Sequence, residues 1–230
     1  RQGLLWKDNV LGTALVDMYA KCGQLVKAQE VFNQIPVHNI ISYSALITGY
    51  AQQGQVKEAL DCFEQMQSEG LSPDGVTFIS ILRACGSTGA IGKGKEIHEK
   101  ILSSGLIEKD IVLGTALVDM YAKCGALAKA QQVFDNLPIR NVIALTALIS
   151  GYYEYGHNEE ALKCFNRMHF EGISPDIVTF LCILKVCGSI RDINKGEEIH
   201  NEILNRNLLT QTRNVVLGNA LVDMYAKCGA

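Results

Sequence analysis

The sequence has no C-x-x-C pair among its eight cysteines and no apolar run near the roughly 18 residues of a membrane span. No signal peptide is recognisable. An excess of basic residues is missing too. Lysine and arginine number 21 against 24 aspartates and glutamates, a net charge of −3, and the pI is near 6.0. Proteins that hold nucleic acid by bulk charge are normally basic, so any such contact here has to come from a local stripe. Without close cysteine pairs, a disulfide framework is not expected in a chain with this much core. No nucleophile–base arrangement, phosphate-binding glycine loop or metal cluster stands out, so no cofactor and no small-molecule substrate is expected. Strand-like alternation is absent. What remains is an ordinary globular composition, 48% apolar and 20% charged.

What is present is repetition. The phrase VLGTALVDMYAKCG fills Val10 to Gly23, returns unchanged at Val112 to Gly125, and appears again at Val216 to Gly229 with Asn219 in place of Thr13 and Thr115. A second phrase, GVTFISILRACGS from Gly75, answers IVTFLCILKVCGS from Ile177. The offset of the first phrase is 102 and then 104 residues. That is too long for one supersecondary unit, and repeats of 20–50 residues mark solenoids. Aligning ALVDMYAKCG (14–23) with ALITGYAQQG (45–54) divides each period into three. The division gives a preceding tail at 1–8, then units at 9–39, 40–74, 75–110, 111–141, 142–176 and 177–214, and a truncated unit at 215–230. Two extra residues near Arg206–Arg213 account for the longer second offset. The opening RQGLLWKDN reads as the end of an earlier unit, so the chain reads as a piece of a longer array.

Spacing within each unit predicts two helices. In the first, Ala14, Leu15, Met18, Tyr19 and Cys22 are expected to share one apolar face, and Ala28, Val31, Phe32 and Ile35 another. Gly23, Gly54, Gly125, Gly156 and Gly229 fall between the two stretches, where a helix ends in a φ > 0 turn. Pro36, Pro73, Pro138 and Pro175 lie past the second stretch and are expected to stop it. Cys22, Cys124 and Cys228 share one repeat position and read as small, buried helix residues. One hairpin buries too little alone, so neighbours are expected to stack.

Units of 31, 35 and 36 residues in rotation, with phrases such as YSALITGYAQQG, EALDCFEQM and GLSPD, resemble the pentatricopeptide repeat family, in its plant-type class of short, standard and long repeats. The resemblance covers essentially the whole chain. A tetratricopeptide array, which keeps one fixed length and binds peptides, suits this rotation poorly. The resemblance implies an all-α fold, a right-handed α-solenoid of stacked antiparallel helix-turn-helix repeats. It implies single-stranded RNA read one base per repeat by two or three side chains, in a mitochondrial or chloroplast RNA-processing or C-to-U editing factor. Editing or processing proteins would then act in trans. The alternative is a protein-binding helical-repeat scaffold.

The resemblance places the reading residues at the second, fifth and last places of each unit. The second places are Val10, Ile41, Val76, Val112, Ile143, Val178 and Val216, all β-branched and aliphatic. Such stiff side chains suit a wall that sandwiches a base, although β-branched residues also suit an extended helix entry. The fifth places are Thr13, Ser44, Ile79, Thr115, Thr146, Leu181 and Asn219; the last are Asn39, Asp74, Asp110, Asn141, Asp176 and Asn214. A terminal Asp accepts from the N–H groups of guanine, whereas a terminal Asn both donates and accepts and suits adenine. The family's pairings agree: Thr13 with Asn39 and Thr115 with Asn141 imply A, Ser44 with Asp74 and Thr146 with Asp176 imply G, and Asn219 implies a pyrimidine. Ile79 and Leu181 cannot hydrogen-bond, so the long units depart from this code. The implied core is 5′-A-G-N-A-G-N-Y-3′. Asp and Asn at unit ends also suit helix N-caps. Lys21, Lys123 and Lys227 recur late in the first helix of the short units and are phosphate-contact candidates or plain solvated lysines.

Plant-type arrays often precede a cytidine deaminase domain, which needs H-x-E with C-x-x-C around zinc. H-x-E occurs as His157-Asn158-Glu159 and as His200-Asn201-Glu202, both inside repeat helices and with no C-x-x-C to complete a site. No enzyme is therefore expected in this piece of chain. His98 and His200 share one repeat position, where packing is the default role.

Overall fold

The computed structural model describes residues 9–107, 110–209 and 215–229. Asn214, residues 210–213 of the stretch that holds the two extra residues, and the 1–8 tail lie outside the described residues. Thirteen helices and no strand are found among the described residues. The chain divides into two compact units, at residues 1–124 and 125–230.

The first unit contains α1 (Asn9–Lys21), α2 (Leu25–Gln34), α3 (Ile40–Gln52), α4 (Val56–Ser68), α5 (Gly75–Thr88), α6 (Ile91–Ser104) and α7 (Ile111–Lys123). The helices α1, α3 and α5 each pair with the helix after them as a hairpin, and α1, α3, α5 and α7 pack on one another in that order. The second unit repeats this with α8 (Leu127–Asp135), α9 (Val142–Glu154), α10 (Asn158–Phe170), α11 (Ile177–Ile190), α12 (Ile193–Asn205) and α13 (Val215–Cys228). Here α9, α11 and α13 form the row of neighbours. Each unit is thus a stack of antiparallel helical hairpins.

The core lies between the two helix rows of each stack. Phe32, Phe63, Phe134, Phe165 and Phe180 are all buried there, from both helix types. Burying one such side chain stabilises by roughly 1.5–3 kcal/mol. Odd helices approach closely where glycine faces a neighbour: a Cβ on Gly49 of α3 would lie 3.0 Å from Ala20 Cβ and 2.7 Å from Leu25 Cδ2.

Helix ends follow the expected chemistry with one correction. Gly23, Gly54, Gly125, Gly156 and Gly229 all have φ between 73° and 84°, and after α1 the amide of Gln24 reaches back to the Tyr19 carbonyl at 2.9 Å. Pro36 and Pro138 follow α2 and α8 within three residues. Pro73 and Pro175, however, stop nothing. Their helices α4 and α10 end at Ser68 and Phe170, at the left-handed residues Gly70 and Gly172, where the Leu71 and Ile173 amides return to Met66 and Met168. This six-to-one closure ends a helix without proline.

Two packing expectations also change. In α7 the residues Leu117, Met120 and Tyr121 are buried against α5 and α6. Their equivalents Leu15, Met18 and Tyr19 in α1, with Ala14, are exposed or half-buried, and Gly12, Thr13, Val16 and Ala20 are buried instead. In the first unit α7 packs on the α5–α6 hairpin that precedes it, whereas no described hairpin precedes α1. The cysteine position is not buried either. Cys22 is exposed and Cys124 and Cys228 are half-buried, because the position falls at the helix end beside the turn glycine.

Candidate nucleic-acid interface

The last residue of each of the first five sequence units stands at the N-cap of an odd helix. Asn39, Asp74, Asn141 and Asp176 hold extended backbone and accept from the amides of Ser42, Thr77, Ala144 and Thr179. Asp110 accepts from the Val112 and Leu113 amides. These bonds satisfy amides that have no partner inside the helix. The N-cap role read from sequence is therefore real, and each cap uses one end of a two-ended side chain.

The second-place residues lie inside the helices, one position after the start. All seven are exposed, from 55% for Val178 to 78% for Val10. Extended backbone does not explain them, because all seven lie within helices, and before the five with a described cap it is the cap, two residues earlier, that is extended. Helix propensity does not explain them either, since Val and Ile are poorer helix formers than the straight-chain residues. Burial is excluded by their exposure. Isolated apolar side chains on a surface need no account, but seven at one register do.

The fifth-place residues stand one helical turn further on, on the same side as the second. Thr13, Ser44, Thr115 and Thr146 are nearly buried, while Asn219 is exposed. The Asn39 Nδ2 group donates to Thr13 Oγ1 at 3.1 Å, and Ser44 Oγ lies 3.5 Å from Asp74 Oδ1. The hydroxyl of Thr115 donates to its own helix at the Ile111 carbonyl, 2.9 Å away.

One cleft gathers the complete set for a unit. Ile41, Ser44, Asp74 and Val76 line a hollow of about 310 Å³, with Asp17 and Lys21 also on its wall. That volume is within the usual range for a small-ligand pocket. Two aliphatic walls from successive units thus flank a hydroxyl and a carboxylate. The polar groups provide hydrogen-bond direction, and the walls favour a flat apolar face.

The lysines are not bare charges. Lys21, Lys123 and Lys227 are exposed and each pairs with the aspartate one turn before it, Asp17, Asp119 and Asp223, at 2.7–2.8 Å. Each pair is close to neutral in sum, consistent with the acidic pI. Sequence reading missed these aspartates, although the D-x-x-x-K spacing was visible. It also missed Thr77 and Thr179, which stand at the third place of their units and touch both the fifth-place and last-place side chains of the unit before.

The histidines have structural partners. His98 Nδ1 lies 3.0 Å from Tyr121 Oη and His200 Nδ1 2.9 Å from Tyr225 Oη. A further H-x-E at His169–Phe170–Glu171 is divided between two sets of partners: His169 Nε2 lies 3.1 Å from Glu202, and Glu171 pairs with Arg140 and Arg167. No cluster of three or more metal-ligating side chains occurs among the described residues.

Stacked antiparallel hairpins built on a repeated scaffold define a helical-repeat protein of the α-solenoid class. The PPR repeat family model matches residues 38–87 and 140–189, and the PPR repeat model residues 13–40. The chain belongs to the pentatricopeptide repeat family. Two similar Arabidopsis thaliana proteins are a chloroplastic pentatricopeptide repeat-containing protein, 39% identical over 96% of this chain, and a putative mitochondrial one, 38% identical over 95%. The chain spans about a third of their lengths, 35% and 34%. In fold it resembles the maize pentatricopeptide repeat protein PPR10, whose crystal structure holds an 18-nucleotide psaJ RNA element; the TM-score is 0.79 at 20% identity, over 99% of this chain and 33% of that one.

Proposed function

We propose that this chain binds single-stranded RNA, one base per repeat, as the recognition part of an organelle RNA-processing or RNA-editing factor. The cleft between Ile41 and Val76, with Ser44 and Asp74 inside it, carries the reading. A base stacks between the two aliphatic walls and sets its Watson–Crick edge against the hydroxyl and carboxylate. The repeats run as divided in the sequence, and Val10, Ile41, Val76, Val112, Ile143, Val178 and Val216 form the walls. The paired residues Thr13 and Asn39, Ser44 and Asp74, Thr115 and Asn141, Thr146 and Asp176, with Asn219, give the core 5′-A-G-N-A-G-N-Y-3′. Lys21, Lys123 and Lys227 contact phosphates by exchanging their aspartate partners. PPR10 bound to its RNA element and the organellar names of the two Arabidopsis relatives support this reading.

Fluorescence anisotropy with this core inside a longer RNA tests it, with shuffled RNA as control. Preference for the core is expected, and equal affinity refutes it. Ser44→Asn then tests the register. The preference at the second base should move from G to a pyrimidine, and an unmoved preference refutes the assignment.

A further inference from the structure

The two reading residues at the α3–α5 junction are joined by a third. Thr77, wholly buried, stands 2.5 Å from Ser44 Oγ, and its own hydroxyl donates to Asp74 Oδ1 at 2.7 Å. The arrangement recurs in the other compact unit. Thr179, also wholly buried, lies 2.6 Å from Thr146 Oγ1 and donates to Asp176 Oδ1 at 2.8 Å.

A threonine hydroxyl has one proton, and a carboxylate oxygen only accepts. The Thr77 proton is therefore committed to Asp74. Ser44 must then donate inward, into the lone pair that Thr77 has left or more distantly to Asp74 Oδ1 at 3.5 Å, so its proton points away from the cleft. Towards the cleft Ser44 then offers lone pairs only. Asp74 Oδ1 is already taken by the Thr77 amide at 2.9 Å and the Thr77 hydroxyl, which leaves Oδ2 to face a ligand. Both groups in the cleft are acceptors.

The first unit is wired differently. Asn39 Nδ2 donates to Thr13 Oγ1, so the Thr13 proton is left for another acceptor. The third-place residue there, Ser42, is turned to the backbone of Asn39: it accepts from the Asn39 amide at 3.1 Å and donates to the Asn39 carbonyl at 2.9 Å.

We infer that Thr77 and Thr179 are positioning residues that fix the polarity of the fifth-place hydroxyl, turning it into an acceptor and so selecting a base with two adjacent donors. Guanine, with N1–H beside its N2 amino group, is the base that meets this demand. The inference rests on the RNA-reading proposal above and adds a residue that touches no base.

The test uses Thr77→Val and Thr77→Ser in the whole chain, with RNAs carrying G, A or inosine at the second base. Valine keeps the shape and removes the close acceptor, leaving the Ser44 proton only the 3.5 Å contact with Asp74 Oδ1 to hold it inward. The G-over-A ratio of Kd values at the second base should fall about fivefold or more, with the fifth-base ratio unchanged. Thr77→Ser should keep the wild-type ratio. Thr179→Val should do the converse, lowering the fifth-base ratio alone, and serves if Thr77→Val does not fold. Inosine, which lacks the N2 amino group, should discriminate less between wild type and Thr77→Val than guanine does. A uniform loss of affinity for all RNAs at an unchanged ratio means a merely structural role and overturns the inference. A wild type that prefers G while both valine variants keep that preference overturns the inference alone. A wild type indifferent to the second base overturns it together with the RNA-reading proposal.

Discussion

Asp74 caps α5, and the proposed base reading gives it a second task that substitution can separate from the first. Its Oδ1 caps α5 through the Thr77 amide at 2.9 Å and holds the Thr77 hydroxyl at 2.7 Å, while Oδ2 is left to the cleft. Asparagine caps a helix about as well as aspartate, so Asp74→Asn keeps the cap oxygen and changes only the second end, from acceptor to donor. Its stability should move by less than about 0.5 kcal/mol, the ordinary scatter of substitutions that break no structural feature. Its base preference should move from G towards A by about 1–3 kcal/mol, a factor of roughly 5 to 150 in the ratio of Kd values. Asp74→Ala removes the cap as well, at about 1 kcal/mol, and deprives the buried Thr77 hydroxyl of its acceptor. Circular dichroism melts measure the first effect, and anisotropy with G or A at the second base the second. Amide exchange at Thr77 reports the cap locally, which matters in a repeat array where global two-state unfolding is not assured. If Asp74→Asn weakens all RNAs alike and leaves the ratio unmoved, Asp74 is a cap and nothing more, and the reasoning fails.

Gly49→Ala should destabilise by about 1–3 kcal/mol, because the new Cβ would meet Leu25 at 2.7 Å and Ala20 at 3.0 Å; an unchanged melt would show that α1 and α3 yield freely. Asp17→Asn should tighten RNA binding at low salt by releasing Lys21 from its 2.7 Å pair and removing a negative charge from the cleft wall, with the gain fading as salt rises; weaker binding would refute the phosphate role of Lys21. Burial alone would raise the Asp135 pKa, but hydrogen bonds from Arg167 and Gln131 outweigh it and hold the carboxyl below its usual value. A depressed folded-state pKa stabilises above the unfolded value near 3.9, and that stability is lost as pH falls through the folded value. Asp135→Asn should therefore flatten the acid end of the stability profile in this strongly acidic range, by less than about 1 kcal/mol for so exposed a pair; a profile unchanged there would contradict the pairing.

Much of this was legible in the sequence because it is local. The turn glycines are dictated by backbone sterics, and all five expected positions have positive φ. The N-caps could be read from Asn and Asp standing before apolar runs, since capping needs only three residues of context. What failed depended on neighbours. Met18 and Met120 stand in identical phrases, yet one is exposed and the other buried, because burial is set by the hairpin alongside. Pro73 drew attention from Gly70, whose left-handed turn had already ended the helix. Thr77 escaped notice because its partners are 33 residues and three residues away, and only the packing of α3 on α5 brings Ser44 and Asp74 to it. The second-place row gained most from the structure. Sequence admitted a local reason for seven β-branched residues, and their position within the helices, exposed, removes it.

The most direct test of the central claim is a competition between two RNAs of identical composition. One carries the core 5′-A-G-N-A-G-N-Y-3′, and the other has its A and G bases exchanged within the same flanks. Four reading positions then face the wrong purine, and the account predicts at least about 100-fold weaker binding for the exchanged RNA at moderate salt. Equal affinity for the two would contradict base reading by these residues.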